Sequence, residues 1–171
     1  MSDRPGAVTM KGNPLTLTGN ELRVGDKAPE FIALDTSLAP AGLAAFAGKV
    51  VVITSVPSLD TPVCDMETRR FNEEAGKMGE GVQVLTLSMD LPFAQKRWCG
   101  DAGVKTVKTL SDHRDASFGL AYGVLIKELR LLARAVFIVD REGVVRYIQL
   151  VKEISNEPDY DAVLAAAREL I

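Results

Sequence analysis

The stretch Lys49–Met78, KVVVITSVPSLDTPVCDMETRRFNEEAGKM, decides how this chain is read. Val50 to Ile53 is a β-branched run, short and apolar enough for a strand buried on both faces. Thr54 to Asp60 breaks that pattern with Pro57 and two serines, so the chain turns. Thr61 then suits a helix N-cap, and Pro62 suits the first helical position, where no amide hydrogen is needed. Val63, Met66, Phe71, Ala75 and Met78 recur at helical spacing until Gly79 stops the run. Cys64 therefore falls in the first turn of a helix that follows a strand directly.

Unpaired amides and the positive end of the helix dipole converge at that position, and both favour a thiolate over a thiol. A free cysteine of pKa near 8.5 is only about 3% ionised at pH 7, whereas one lowered to about 6 is roughly 90% ionised. The Thr61 hydroxyl, at the N-cap, lies over the third helical residue and is expected to donate to the sulfur. An inert buried cysteine is the ordinary alternative. A Thr-Pro-capped helix start fits that alternative poorly.

With 171 residues, one domain spanning 1–171 is expected, large enough to bury about 70% of the unfolded surface. Apolar residues at 47% and charged residues at 25% are those of a soluble globular protein. A net charge of −3 without a basic cluster argues against nucleic acid as a partner. No segment has signal-peptide or membrane-spanning character, so a cytoplasmic protein without membrane contact is expected. Two cysteines, Cys64 and Cys99, and one histidine, His113, are too few for a structural zinc site, and no metal or cofactor is expected. His113 lies in the polar stretch SDHRDAS and reads as a solvated loop residue rather than the partner of a nucleophilic cysteine. A redox pair is the better reading of the two cysteines.

Working outward, Val8–Met10 and Leu15–Leu17 predict an N-terminal hairpin about Lys11-Gly12-Asn13-Pro14. Phe31–Leu34 predicts a short strand and Leu43–Phe46 at most a short helix. Val82–Met89 reads as a central strand, and Asp90 as the cap of a helix that contains Pro92, passes through Trp98-Cys99 and frays at Gly100 and Gly103. Val107–Leu110 is a brief strand and Ala116–Gly119 a helical turn. Ala135–Val139 and Val144–Leu150 pair through Asp140–Gly143, and Pro158 opens a last helix with Tyr160, Val163, Leu164, Ala167 and Leu170 on one face. The order predicts one α/β domain, a mixed sheet with helices on its faces.

Pro57 to Cys64, PSLDTPVC, matches the pattern P-x-x-x-T-x-x-C of the peroxiredoxins. Together with DLPFAQKRWCG, ARAVFIVD and EPDYDA it resembles the thiol peroxidase branch, the atypical two-cysteine peroxiredoxins, over nearly the whole chain. The resemblance implies a thioredoxin-like fold, a homodimer and reduction of hydroperoxides, with thioredoxin or a similar protein disulfide reductant as electron donor. It makes Cys64 the peroxidatic and Cys99 the resolving cysteine, joined in an intramolecular disulfide. Thr61 and Arg134 complete the site, and Pro57 shields it. One departure is visible: between Tyr122-Gly123 and Ala133-Arg134 the compact VLIKELRLL stands where many members carry a longer, glycine-containing loop.

A disulfide needs Cα atoms within about 7 Å, yet Cys64 and Cys99 start on separate predicted helices. The Cys99 helix is the weaker one, so residues 91–103 are expected to rearrange and to carry Trp98 with them. Arg134 precedes an apolar strand and is expected at its edge with a partly covered stem. A thioredoxin-like disulfide carrier would need C-x-x-C at this helix start, where Thr61 stands in place of the first cysteine. A non-catalytic scaffold gives no reason for Thr61, Cys64 and Arg134 together. A sulfenic-acid sensor shares every residue with a peroxidase and differs only in turnover.

Overall fold

A computed structural model describes residues 2–171. β1 (Ser2–Met10) and β2 (Asn13–Gly19) form the N-terminal hairpin, followed by β3 (Ala33–Leu34), β4 (Pro40–Ala41) and a single 3-10 turn over Leu43–Phe46. Then come β5 (Val50–Ser55), α1 (Pro62–Met78), β6 (Val82–Ser88), α2 (Pro92–Ala102) and β7 (Val107–Ser111). The remainder comprises α3 (Ser117–Ala121), β8 (Leu125–Ile126), β9 (Leu131–Leu132), β10 (Ala135–Val139), β11 (Val145–Leu150) and α4 (Tyr160–Arg168).

Seven strands make the main sheet in the order β11-β10-β5-β6-β7-β3-β4. β5, β6 and β7 are parallel, joined by crossovers through α1 and α2, while β10 runs antiparallel to β5 and β11 to β10. Every residue of β5 and of β10 is buried, as a β-branched run flanked on both sides by strands requires. Side-chain alternation divides these strands between two cores. Val51, Ile53, Leu85, Leu87 and Phe137 pack with Phe31, Phe118 and Tyr122 on one face. Val50, Val52, Val84, Val136 and Ile138 pack on the other, against Phe71 and Ala75 of α1 and Val163 and Ala167 of α4.

A second, four-stranded sheet in the order β1-β2-β8-β9 was not foreseen. The compact VLIKELRLL segment is itself a hairpin, pairing Leu125 with Leu132 and Ile126 with Leu131, and β8 docks on β2 through Leu17 and Ile126. Two-residue strands around Lys127-Glu128 carry no alternation long enough to read from sequence. Where the end of β2 meets α3, Gly19 adopts φ +118°, and a Cβ there would lie 2.3 Å from the Leu120 carbonyl oxygen.

Three local expectations need correction. The strand expected over Phe31–Leu34 is reduced to Ala33–Leu34. Leu91, not Asp90, stands at the N-cap of α2, because the Asp90 carboxylate is engaged elsewhere. On α1, Met66 is half exposed while Cys64, Glu67, Thr68, Phe71 and Ala75 are buried, so the covered face is rotated toward polar residues. Among the described residues no helix is long and apolar enough to cross a membrane.

Candidate active site

The site forms where β5 ends. Pairing of Ala135 with Ser55 sets the start of β10 beside the last residue of β5, and the Ser55 hydroxyl donates to the Ala133 carbonyl at 2.7 Å. Arg134, between those residues, is thereby held next to the first turn of α1. Its Nη2 donates to Cys64 Sγ at 3.2 Å. Nε and Nη2 both donate to the Ile154 carbonyl, at 3.0 and 2.9 Å, and Nη1 pairs with Glu67. Arg134 is 1% exposed and Cys64 is fully buried, so the guanidinium lies inside the molecule rather than at a partly covered strand edge.

Burying a guanidinium is costly unless its hydrogens are matched by acceptors and its charge by a counter-charge. Glu67 supplies the counter-charge, three residues after Cys64 and on the same helix face. Burial works against the Arg134 cation, but Glu67 foremost, with Cys64 beside it, outweighs burial and holds the group protonated. Burial also lifts the Glu67 carboxyl to about 7, with the Arg134 charge pulling the other way. The upward direction has a geometric basis: Glu67 Oε1 is buried without a hydrogen-bond partner. Sequence reading missed Glu67, since a glutamate in METRRFNEE looks like a solvated face; its signals were the spacing from Cys64 and an arginine lacking a counter-charge.

The loop before α1 is pinned from β6. Asp90 accepts from the Ser58 hydroxyl at 2.7 Å, the Leu59 amide at 2.8 Å and the Ser88 hydroxyl at 2.7 Å. Pro57, within this loop, is buried. Thr61 stands at the N-cap with Pro62 following, as the sequence predicts, but its hydroxyl donates to the Ser58 carbonyl at 2.9 Å rather than to the sulfur. The contact to Cys64 comes from the Arg134 cation instead, a charge-assisted donor whose bond strengthens as negative charge collects on sulfur.

Both cysteines are free thiols, and they face different ways. Trp98 packs with Val56, Leu59 and Cys64, and its indole Nε1 donates to Asp65 of α1 at 2.7 Å. Cys99, one residue on and about 100° around the helix, turns to Thr109 of β7 with 3.3 Å between Sγ and the hydroxyl oxygen. The fold thus brings Cys64, Arg134 and Glu67 together, sets Thr61 at the cap of the same helix and Pro57 in the loop before it, and turns Cys99 toward β7. A cleft of about 670 Å³ near Val51 and Val139, toward the opposite end of β5, contains neither cysteine.

The family model described as Redoxin matches residues 23–164. A thiol peroxidase of Halalkalibacterium halodurans is 58% identical over 162 residues, covering 95% of this chain and 97% of that protein. One from Bacillus subtilis is 56% identical over 164 residues, covering 96% and 98%. Among solved structures, a peroxiredoxin-like protein from Aquifex aeolicus superposes with a TM-score of 0.91 at 50% identity, covering 97% of this chain and 98% of that one. Mycobacterium tuberculosis AhpC, at 23% identity, 0.72 and coverage of 88% and 94%, shares the fold, which is thioredoxin-like.

Proposed function

The chain belongs to the redoxin family and to its thiol peroxidases, and from that premise we propose that Cys64 is the peroxidatic cysteine of a thiol-dependent reduction of hydrogen peroxide and organic hydroperoxides. The observation that carries this reading is the 3.2 Å contact of the buried Arg134 guanidinium with Cys64 Sγ at the first turn of α1. The Cys64 thiolate attacks one peroxide oxygen; the O–O bond breaks, the other oxygen leaves as hydroxide or alkoxide, and the sulfur becomes a sulfenic acid. Full ionisation raises the thiolate fraction at most about thirty-fold at pH 7, and a less basic thiolate is a weaker nucleophile. The larger part of the acceleration comes from donors aimed at the stretching O–O bond. Arg134 already points at the sulfur, and Thr61 reaches the same space by turning its hydroxyl away from Ser58. Pro57 keeps bulk water from the buried side of the loop.

The Cys99 thiol then attacks the sulfenic sulfur, forming the Cys64–Cys99 disulfide and releasing water. Trp98 stands on the Cys64 side of α2 and Cys99 on the Thr109 side, so residues 91–103 unwind for the sulfurs to meet. A thioredoxin-type dithiol reduces the bridge by exchange and is itself oxidised. The sequence motifs shared with the thiol peroxidase branch support extending this reading to a homodimer, and we place its action in the cytoplasm.

One equivalent of hydrogen peroxide added to the fully reduced protein, followed by intact mass and thiol count, tests the assignment. Loss of two hydrogens with no free thiol and no covalent dimer is expected, and Cys64→Ser should abolish it. Addition of oxygen with Cys99 still free would overturn the resolving role and leave a one-cysteine peroxidase or a sulfenic-acid sensor.

A further inference from the structure

The Arg134 guanidinium is oriented by three partners, and one of them is a loop carbonyl. Ile154 O accepts from both Nε and Nη2, the nitrogen that also meets Cys64 Sγ. Where that carbonyl sits therefore sets how the guanidinium is rotated toward the sulfur. Ile154 belongs to a connection between β11 and α4 that has no regular structure of its own, so something must fix it.

The fixing group is the carboxylate of the preceding residue. Glu153 Oε1 accepts from the Thr9 hydroxyl at 3.0 Å and from the Gly12 amide at 2.9 Å, both on the N-terminal hairpin. Its Oε2 accepts from the Ser155 hydroxyl at 2.6 Å and amide at 3.0 Å, within its own loop. Around this carboxylate the backbones interlock: the Thr9 amide donates to Lys152 O at 2.7 Å and the Ile154 amide to Thr9 O at 2.9 Å. The Ser155 hydroxyl and Gly12 amide foremost hold the Glu153 carboxyl down to about 2, so the clasp stays ionised throughout the working pH range.

We propose that Glu153, tying Thr9 and Gly12 of the β1–β2 hairpin to the Ile154 loop, is a positioning residue for peroxide reduction that acts through Arg134. The hairpin, far from the reacting sulfur in sequence, thereby becomes part of the catalytic support. This inference rests on the reading of Arg134 given above, and the test separates the two.

The rate constant for oxidation of Cys64 by hydrogen peroxide is measured by quenched flow with intact mass, per folded molecule and well below each variant's melting temperature. Glu153→Ala should lower it roughly tenfold, since small displacements of an aligned group are costly in rate. On an Arg134→Met background the same substitution should change nothing further, because a residue acting only through another shows no effect once that other is gone. Thr9→Val should slow oxidation and Thr9→Ser should restore it, which keeps the test alive should Glu153→Ala fold poorly. An unchanged rate in Glu153→Ala and Thr9→Val, or equal slowing on both backgrounds, would overturn the clasp. Wild-type speed in Arg134→Met would instead overturn the role of Arg134 itself.

Discussion

At the scale of single residues, the site is an exercise in keeping a cation inside a protein. Arg134 spends its hydrogens on Ile154 O, Glu67 and Cys64, and Glu67 holds an oxygen with no partner. Because burial lifts the Glu67 carboxyl from 4.5 to about 7, the folded chain binds that proton more tightly than the unfolded chain. Stability from this group is therefore complete below about 4.5 and is lost as pH rises through about 7. Glu67→Gln removes the titration, so its urea midpoint should gain on the wild type as pH rises across that window; parallel curves would show that the carboxyl titrates normally. Cys64 at a helix start and Thr61 at its cap were legible from local punctuation alone. Glu67 was not, because its meaning comes from a guanidinium sixty-seven positions away that no local pattern brings near.

At the scale of elements, α2 is the piece whose weakness matters. Gly100 is exposed with open space where a Cβ would be, and Gly103 closes the helix in the left-handed region at φ +67°. Gly100→Ala should add about 1 kcal/mol to the helix, slowing disulfide formation roughly five-fold if α2 must unwind, while leaving the first oxidation rate unchanged. An unaltered rate of disulfide formation would mean that the sulfurs meet with the helix intact. Long elements were legible: β5, α1, β6 and β10 follow from β-branched runs and helical spacing, with ends within two residues. The β8–β9 hairpin and the capping of α2 were not. The first is too short for any period to register, and at the second Asp90 is drawn away by Ser58, Leu59 and Ser88, a competition that exists only once β6 and the α1 loop are adjacent.

At the scale of the molecule, the N-terminal hairpin is joined to α3 at a position where a side chain does not fit. Gly19 has φ +118° and backbone of Leu120 where its Cβ would go. Gly19→Ala should cost more than about 3 kcal/mol of unfolding free energy, combining strained backbone with a clash that no rotamer relieves; a loss below about 1 kcal/mol in urea titration would mean that β2 and α3 shift apart freely. The mixed sheet with flanking helices was legible in the order of elements, and the second sheet was not, because its pairing joins segments more than a hundred residues apart.

Cys64 has no solvent exposure in this dithiol state, and that sets who is allowed to meet it. On the function proposed above, the cover over Cys64 has to part before an oxidant arrives, and a slim peroxide requires a smaller gap than a bulky reagent. A bulky electrophile must wait for a wider and rarer one. Labelling rates taken with reagents of increasing girth would therefore report how often the loop breathes, not how nucleophilic the sulfur is. A labelling rate that falls steeply with reagent girth is the expected outcome, and equal rates would mean that burial of Cys64 is no barrier.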